Sequence, residues 1–162
     1  MEIAERVVVD LDRCIECKAC FAACYYGHRR EPIVNYGWTG AVQLPLICRQ
    51  CDEPICAAAC PYGAMAKDEY GVVKRSLQLC RGCASCVTAC PFGTVSPEMY
   101  RRQVPKCDLC EDRVLQGEVP RCVATCAGGA LQFIEISEAE LEEQGLYAIG
   151  GRTLGRSLAK RR

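Results

Sequence analysis

The chain of 162 residues has one tryptophan, three phenylalanines and only one histidine, His28. No serine, histidine and aspartate set for nucleophilic catalysis is apparent, and neither a G-x-G-x-x-G nor a Walker phosphate loop occurs. Long apolar runs are missing too. Runs such as Val7-Val8-Val9 and Leu44-Pro45-Leu46-Ile47 fall far short of the roughly 20 residues that span a bilayer. The expectation is a soluble chain with no transmembrane segment of its own. Met1 to Asp12 has neither a secretory apolar stretch nor a twin-arginine pattern, so the cytoplasm is the expected location. Net charge is also absent, with twenty acidic and twenty basic side chains. No nucleic-acid partner follows from such a balance.

The aliphatic content is low as well. The 50% hydrophobic share counts sixteen cysteines, and without them it falls to roughly 40%, below the usual apolar fraction. Something other than aliphatic packing has to hold the chain together. Cysteine, at about one residue in ten, is the candidate.

The cysteines fall into four groups of four: Cys14, Cys17, Cys20 and Cys24; Cys48, Cys51, Cys56 and Cys60; Cys80, Cys83, Cys86 and Cys90; Cys107, Cys110, Cys122 and Cys126. Groups one and three have the spacing C-x2-C-x2-C-x3-C, the bacterial ferredoxin ligand run. Three cysteines so spaced wrap one 4Fe-4S cubane and aim backbone N–H groups at its sulfurs. The fourth lies one helical turn on and points to a different cluster. Ala22-Ala23, Ala57-Ala58-Ala59, Val87-Thr88-Ala89 and Val123-Ala124-Thr125 keep that turn compact, so two clusters can approach for electron tunnelling. Cys60-Pro61 and Cys90-Pro91 follow the ferredoxin ending, with Gly63 and Gly93 beyond, whereas Cys24-Tyr25 and Cys126-Ala127 depart from it, so different turns are expected there.

Zinc ribbons also use C-x2-C pairs, yet two pairs suffice for zinc and leave the three-in-a-row spacing unexplained. Disulfides fit neither the spacing nor the expected compartment. Four complete quartets give four 4Fe-4S clusters with no open iron for substrate, hence an electron carrier rather than an enzyme. Sixteen thiolates less the charge of four oxidised cores leave the loaded protein at roughly minus eight.

Between the groups, Glu5 to Leu11 and Leu131 to Ile136 read as strands, and Tyr70-Gly71-Val72-Val73 as a turn leading into another. His28, in Gly27-His28-Arg29-Arg30, is expected to be a solvated loop residue. Ser137 and Glu140 form a capping box opening a short helix to about Gln144. The basic end from Arg152 reads as a solvated tail, its five cations a candidate docking element.

CIECKACFAAC (14–24), CRQCDEPICAAACPYGA (48–64), CRGCASCVTACPFG (80–93) and CDLCEDRVLQGEVPRCVATCAGGAL (107–131) resemble the four-cluster ferredoxin-like subunits of molybdopterin and tungstopterin oxidoreductases. Dimethyl sulfoxide reductase, formate dehydrogenase and tungsten aldehyde oxidoreductase complexes contain such subunits. The resemblance implies an α+β fold of two interleaved bacterial ferredoxin-like modules over residues 1–136, followed by a short helix and basic extension at 137–162. Groups one and four would form one module, groups two and three the other. By the same resemblance, Cys14, Cys17, Cys20 and Cys126 hold one cluster, and Cys107, Cys110, Cys122 and Cys24 its neighbour. Cys48, Cys51, Cys56 and Cys90 hold a third, and Cys80, Cys83, Cys86 and Cys60 the fourth. Some relatives carry tryptophan for a group-three cysteine and with it a three-iron cluster; Cys83 is retained here. The implied function is an electron relay between a molybdenum or tungsten pterin catalytic subunit and a second redox partner, a flavoprotein or further copies of the chain. A free polyferredoxin shuttling between diffusing enzymes is the alternative.

Overall fold

A computed structural model describes residues 3–10, 12–28, 35–39, 42–95 and 106–136. Along the described chain run β1 (Arg6–Val9), α1 (Ala19–Gly27), β2 (Asn35–Thr39), β3 (Val42–Leu46), α2 (Ile55–Ala58) and β4 (Met65–Lys67). They are followed by β5 (Val73–Arg75), α3 (Ser85–Ala89), α4 (Glu111–Val114), α5 (Arg121–Ala124) and β6 (Leu131–Ile134). The capping-box helix and the basic tail lie outside the described residues.

Valine at three successive positions favours a pleated strand, where branched side chains lose least rotamer freedom. β1 pairs antiparallel with β6, Val7 opposite Phe133 and Val9 opposite Leu131, so the two ends of the described chain lie side by side. The Asp10 N–H extends the pairing to the Ala130 carbonyl at 2.8 Å. A second ribbon, β4 with β5, closes through Asp68, whose Oδ1 accepts the Tyr70 and Val72 N–H groups at 2.9 Å each. Gly71 takes φ +82° in that turn, which a side chain would resist. β2 and β3 form a third hairpin. Gly37 and Pro45 interrupt its pattern, and both demote a sequence as a strand.

The helices are short, and α2, α4 and α5 have four residues each, well below the length at which a helix holds its shape unaided. They pack in pairs: α1 against α5, and α2 against α3. Each helix pair accompanies one ribbon, with α5 meeting β6 and α2 meeting β4.

Cysteine is part of both main apolar clusters. Cys20, Cys24 and Cys122 share one with Val7, Val9, Ile47, Val72, Leu109 and Leu131, with Cys107 and Cys126 packed against it. Met65, Cys86 and Val95 make the other, covered by Cys56, Cys60 and Cys90. Groups one and four thus meet in one cluster of side chains and groups two and three in another. The β1–β6 pairing also presses the turn after Cys126 onto the start of group one. A Cβ on Gly128 would sit 2.8 Å from the Arg13 backbone carbonyl oxygen, closer than such contacts allow. Gly128→Ala is therefore expected to cost about 1–3 kcal/mol by overpacking, read as a lowered thermal midpoint of the iron-loaded protein. An unchanged midpoint would contradict this close approach.

Candidate metal centres

Each group begins as a loop whose backbone bends the same way. The residue before the second cysteine is left-handed in all four: Glu16 at φ +57°, Gln50 at +51°, Gly82 at +67° and Leu109 at +61°. Groups one and three repeat the bend two residues later, at Lys18 and Ala84. Three of those first four residues carry a Cβ, and such conformations persist only where the surroundings enforce them. Alternating right- and left-handed backbone turns successive N–H groups inward, making a concave anion site.

The loops lead into helices that carry the third cysteine. Cys20 lies in α1, Cys56 in α2, Cys86 in α3 and Cys122 in α5. In groups two, three and four the helix stops at or before the fourth cysteine, and the Gly63, Gly93 and Gly129 N–H groups bond back to the carbonyls of Cys60, Cys90 and Cys126 at 3.2, 3.4 and 3.0 Å. All three glycines are left-handed, at φ +59°, +62° and +58°. Group four therefore closes with the same turn as the two proline-containing groups, against the expectation that its missing proline would change it. Glycine supplies the turn and proline only precedes it. Group one does differ, since α1 continues past Cys24 to Gly27.

Three cavities are lined by cysteine from two groups each. Cys14, Cys17, Cys20 and Cys126 line one with Val9, Ile15, Pro45 and Leu131. Another holds Cys48, Cys51, Cys56 and Cys90 beside Val73, Phe92 and Val95. Cys80, Cys83, Cys86 and Cys60 line the third with Tyr62, Ala64 and Met65. The remaining four cysteines also gather. Cys24 and Cys122 share a core with Cys107 against it, while His28 bonds to Cys110 and Cys24 and Cys122 feels the charges of Cys110 and Cys24.

The thiol environments suit an anionic sulfur centre. Burial pushes Cys51, Cys56, Cys86, Cys107 and Cys122 up, and neighbouring thiolates add to the rise in each. Protons there have to leave when metal binds. At Cys60 burial is outweighed by the backbone N–H groups of Tyr62, Met65 and Ala64, and at Cys90 by the Thr94 hydroxyl and the N–H groups around it, so both are lowered. The Ala64 N–H lies 3.3 Å from Cys60 Sγ and the Leu131 N–H 3.4 Å from Cys126 Sγ. Among the described residues, one trio of ligand atoms lies within 4.8 Å of one another, that of His28, Asp108 and Cys110. A single zinc would draw its thiolates to about 3.8 Å from each other. No three cysteine sulfurs among the described residues come within 4.8 Å of one another.

Three side chains at these sites carry no signal in the sequence pattern. His28 is expected in solvent, yet its side chain is only 13% exposed, with Nε2 3.5 Å from Cys110 Sγ and Nδ1 3.6 Å from Asp108 Oδ2. Hydrogen bonds to Cys110 and Cys24 push its pKa up to about 10, against the effect of burial. Gln50 is buried and bridges the Val73 N–H and the Cys107 carbonyl at 2.9 Å each. Lys106 is buried as well. Burial alone would depress its pKa, but the Cys48 and Cys107 thiolates prevail and it stands above the ordinary lysine value.

Known proteins share this arrangement of sequence. A family model described as a 4Fe-4S dicluster domain matches residues 39–136, and one described as a 4Fe-4S binding domain matches residues 11–27. The sequence is 34% identical to the B component of anaerobic dimethyl sulfoxide reductase from Escherichia coli (strain K12), over 87% of this chain and 78% of that protein. It is 34% identical to the B component of tetrathionate reductase from Salmonella typhimurium, covering 76% of this chain and 55% of that one. Against the formate dehydrogenase iron-sulfur subunit of Haemophilus influenzae the identity is 30%, over 91% of this chain and 54% of the relative. The protein belongs to the 4Fe-4S dicluster family, among its iron–sulfur electron-transfer subunits.

Proposed function

We propose that this chain relays electrons between a molybdenum or tungsten pterin catalytic subunit and a second redox partner, over four 4Fe-4S clusters. The observation that carries the proposal is the composition of the sulfur-lined cavities: three cysteines of one group joined by the last cysteine of another. Cys14, Cys17, Cys20 and Cys126 would hold the first cluster, and Cys24, Cys107, Cys110 and Cys122 the second. Cys48, Cys51, Cys56 and Cys90 would hold the third, and Cys60, Cys80, Cys83 and Cys86 the fourth. Two interleaved ferredoxin-like modules over residues 1–136 follow from that assignment, with 137–162 as an extension. The cytoplasm is the proposed location. No helix of the described residues is long and apolar enough to cross a membrane.

When bound, each cluster supplies a one-electron couple. The chain provides the rest. Apolar side chains line the cavities, inward N–H groups favour negative sulfur, and the ligand helices set the spacing between neighbouring quartets. Cys17 and Cys83 are exposed, whereas Cys20, Cys24, Cys86, Cys110 and Cys122 are buried. The first and fourth quartets are thereby suited to meet partners, the first toward the pterin subunit and the fourth toward an onward acceptor such as a flavoprotein or a second copy of the chain.

Purification of the native assembly under anaerobic conditions tests this directly. The expected product is a stable complex with a molybdenum or tungsten subunit, carrying about sixteen iron atoms per chain. A monomer exchanging electrons with several enzymes would favour a free polyferredoxin, and about eight irons would overturn the four-cluster count. Ligand exchange between groups has its own test. Cys24→Ser is expected to alter the spectrum of the cluster held by Cys107, Cys110 and Cys122, while the one built on Cys14, Cys17 and Cys20 keeps its signal; the reverse pattern would refute cross-ligation. Removing iron with a chelator should also collapse most of the fold, because cysteines of all four groups belong to the apolar clusters or pack against them. Native far-ultraviolet circular dichroism in the iron-free protein would argue against that dependence.

A further inference from the structure

The two halves of the proposed relay meet where Cys48 of group two and Cys107 of group four are bridged by one side chain. A lysine occupies that junction. Lys106 is 7% exposed, and its Nζ donates to Cys48 Sγ at 3.0 Å, to the Val73 carbonyl at 2.9 Å and to the Cys107 carbonyl at 2.9 Å. Three contacts use the three N–H bonds of an ammonium. Among the described residues no carboxylate pairs with it, and the Cys48 sulfur is its one side-chain partner. Lys106 also lines the cavity of Cys48, Cys51, Cys56 and Cys90.

The ammonium is held rigidly. Gln50, also buried, ties the Val73 N–H to the Cys107 carbonyl, the same strand residue and the same carbonyl that Lys106 engages. Group two, β5 and group four are tied together by these two side chains, with the ammonium buried where they meet. Burying an ammonium is expensive unless a fixed anion compensates it. A position so costly in a fold with ample surface for lysine calls for an effect of the charge itself.

Resting on the four-cluster proposal above, we propose that Lys106 is a positioning residue for electrons: its fixed charge stabilises the reduced state of the cluster held by Cys48, Cys51, Cys56 and Cys90. Adding an electron makes that cluster more negative, and a buried cation hydrogen-bonded to one of its ligands favours the change. Neutralising the residue removes this stabilisation and lowers the midpoint potential. The effect falls on an inner step of the relay, between the halves.

Redox titration of the intact iron-loaded protein, followed by electron paramagnetic resonance, tests the assignment. Lys106→Met and Lys106→Gln, at unchanged iron content, are expected to lower one midpoint by a tenfold or greater change in the reduced-to-oxidised ratio, equivalent to about 59 mV for one electron. Lys106→Arg is expected to keep that midpoint near the wild-type value. Unshifted midpoints in both neutral variants with full iron would overturn the role of Lys106 while leaving the four-cluster proposal standing. A second measurement needs no neutral variant. In wild-type protein labelled with nitrogen-15 only at lysine Nζ, a reduced cluster should show hyperfine coupling to that nitrogen, lost in Lys106→Arg. Absence of the coupling overturns the proposal even where the neutral variants lose iron. A protein that binds no cluster at Cys48, Cys51, Cys56 and Cys90 overturns both proposals, and its iron content reveals this before any titration.

Discussion

Three cysteines of one group and the last cysteine of another line each of three cavities, so these thiols converge only when two distant stretches of chain meet. A polypeptide built this way has to bring a second group alongside the first. The other pairings follow from that requirement. α1 lies on α5 and α2 on α3, and β1 pairs with β6 although more than a hundred residues separate them in sequence. Helices of four residues and ribbons of two strands have little stability by themselves. Their positions make sense as supports for sulfur atoms, with Cys20, Cys24 and Cys122 standing in the apolar cluster where another protein would have leucine.

Backbone conformation points the same way. Glu16, Lys18, Gln50, Ala84, Leu109 and Cys110 all adopt left-handed φ despite their side chains, at an approximate cost of 1–3 kcal/mol for such positions. A sequence free of constraint would place glycine there, as it does at Gly82. The strain recurs at equivalent steps of the four loops, so its compensation must also be common to them. Inward N–H groups facing an anionic guest provide such compensation, and the lowering of the Cys60 pKa by backbone N–H groups, against burial, illustrates its direction.

Much of this is legible from residue spacing. The three-valine strand and the alternating strand in the 131–136 segment occur as β1 and β6, and the turn before Val73 leads into β5. The four-fold grouping of the cysteines is plain in the sequence, and three cavities are each lined by cysteines of two groups. Polar residues are harder to read. Nothing in the identity of Gln50, His28 or Lys106 separates them from the polar residues that stay in water, because their burial depends on which distant loop covers them. Group four's closing turn departs from expectation for a related reason: proline is conspicuous in sequence, while the left-handed glycine three residues after the cysteine does the bending. The hairpin of β2 and β3 is obscured by its internal glycine and proline.

Exposure varies along the proposed relay in a way that suits its task. Cys17 and Cys83, in the outer quartets, reach the surface, whereas no cysteine of the two inner quartets is exposed. Water stabilises a charge wherever it can reorganise around it, so an electron in a wetted interior site would be trapped by its own solvation. Partial burial of the inner quartets lessens such a trap, but it also disfavours the extra negative charge. A cation placed among them offsets that penalty without admitting solvent, and Lys106, fixed by two carbonyls and one sulfur, has the geometry to do so. The thin aliphatic core and the buried lysine are therefore parts of one solution. Sulfur fills the interior, the low dielectric around it isolates the electron, and a charge buried at the junction keeps the middle of the path accessible.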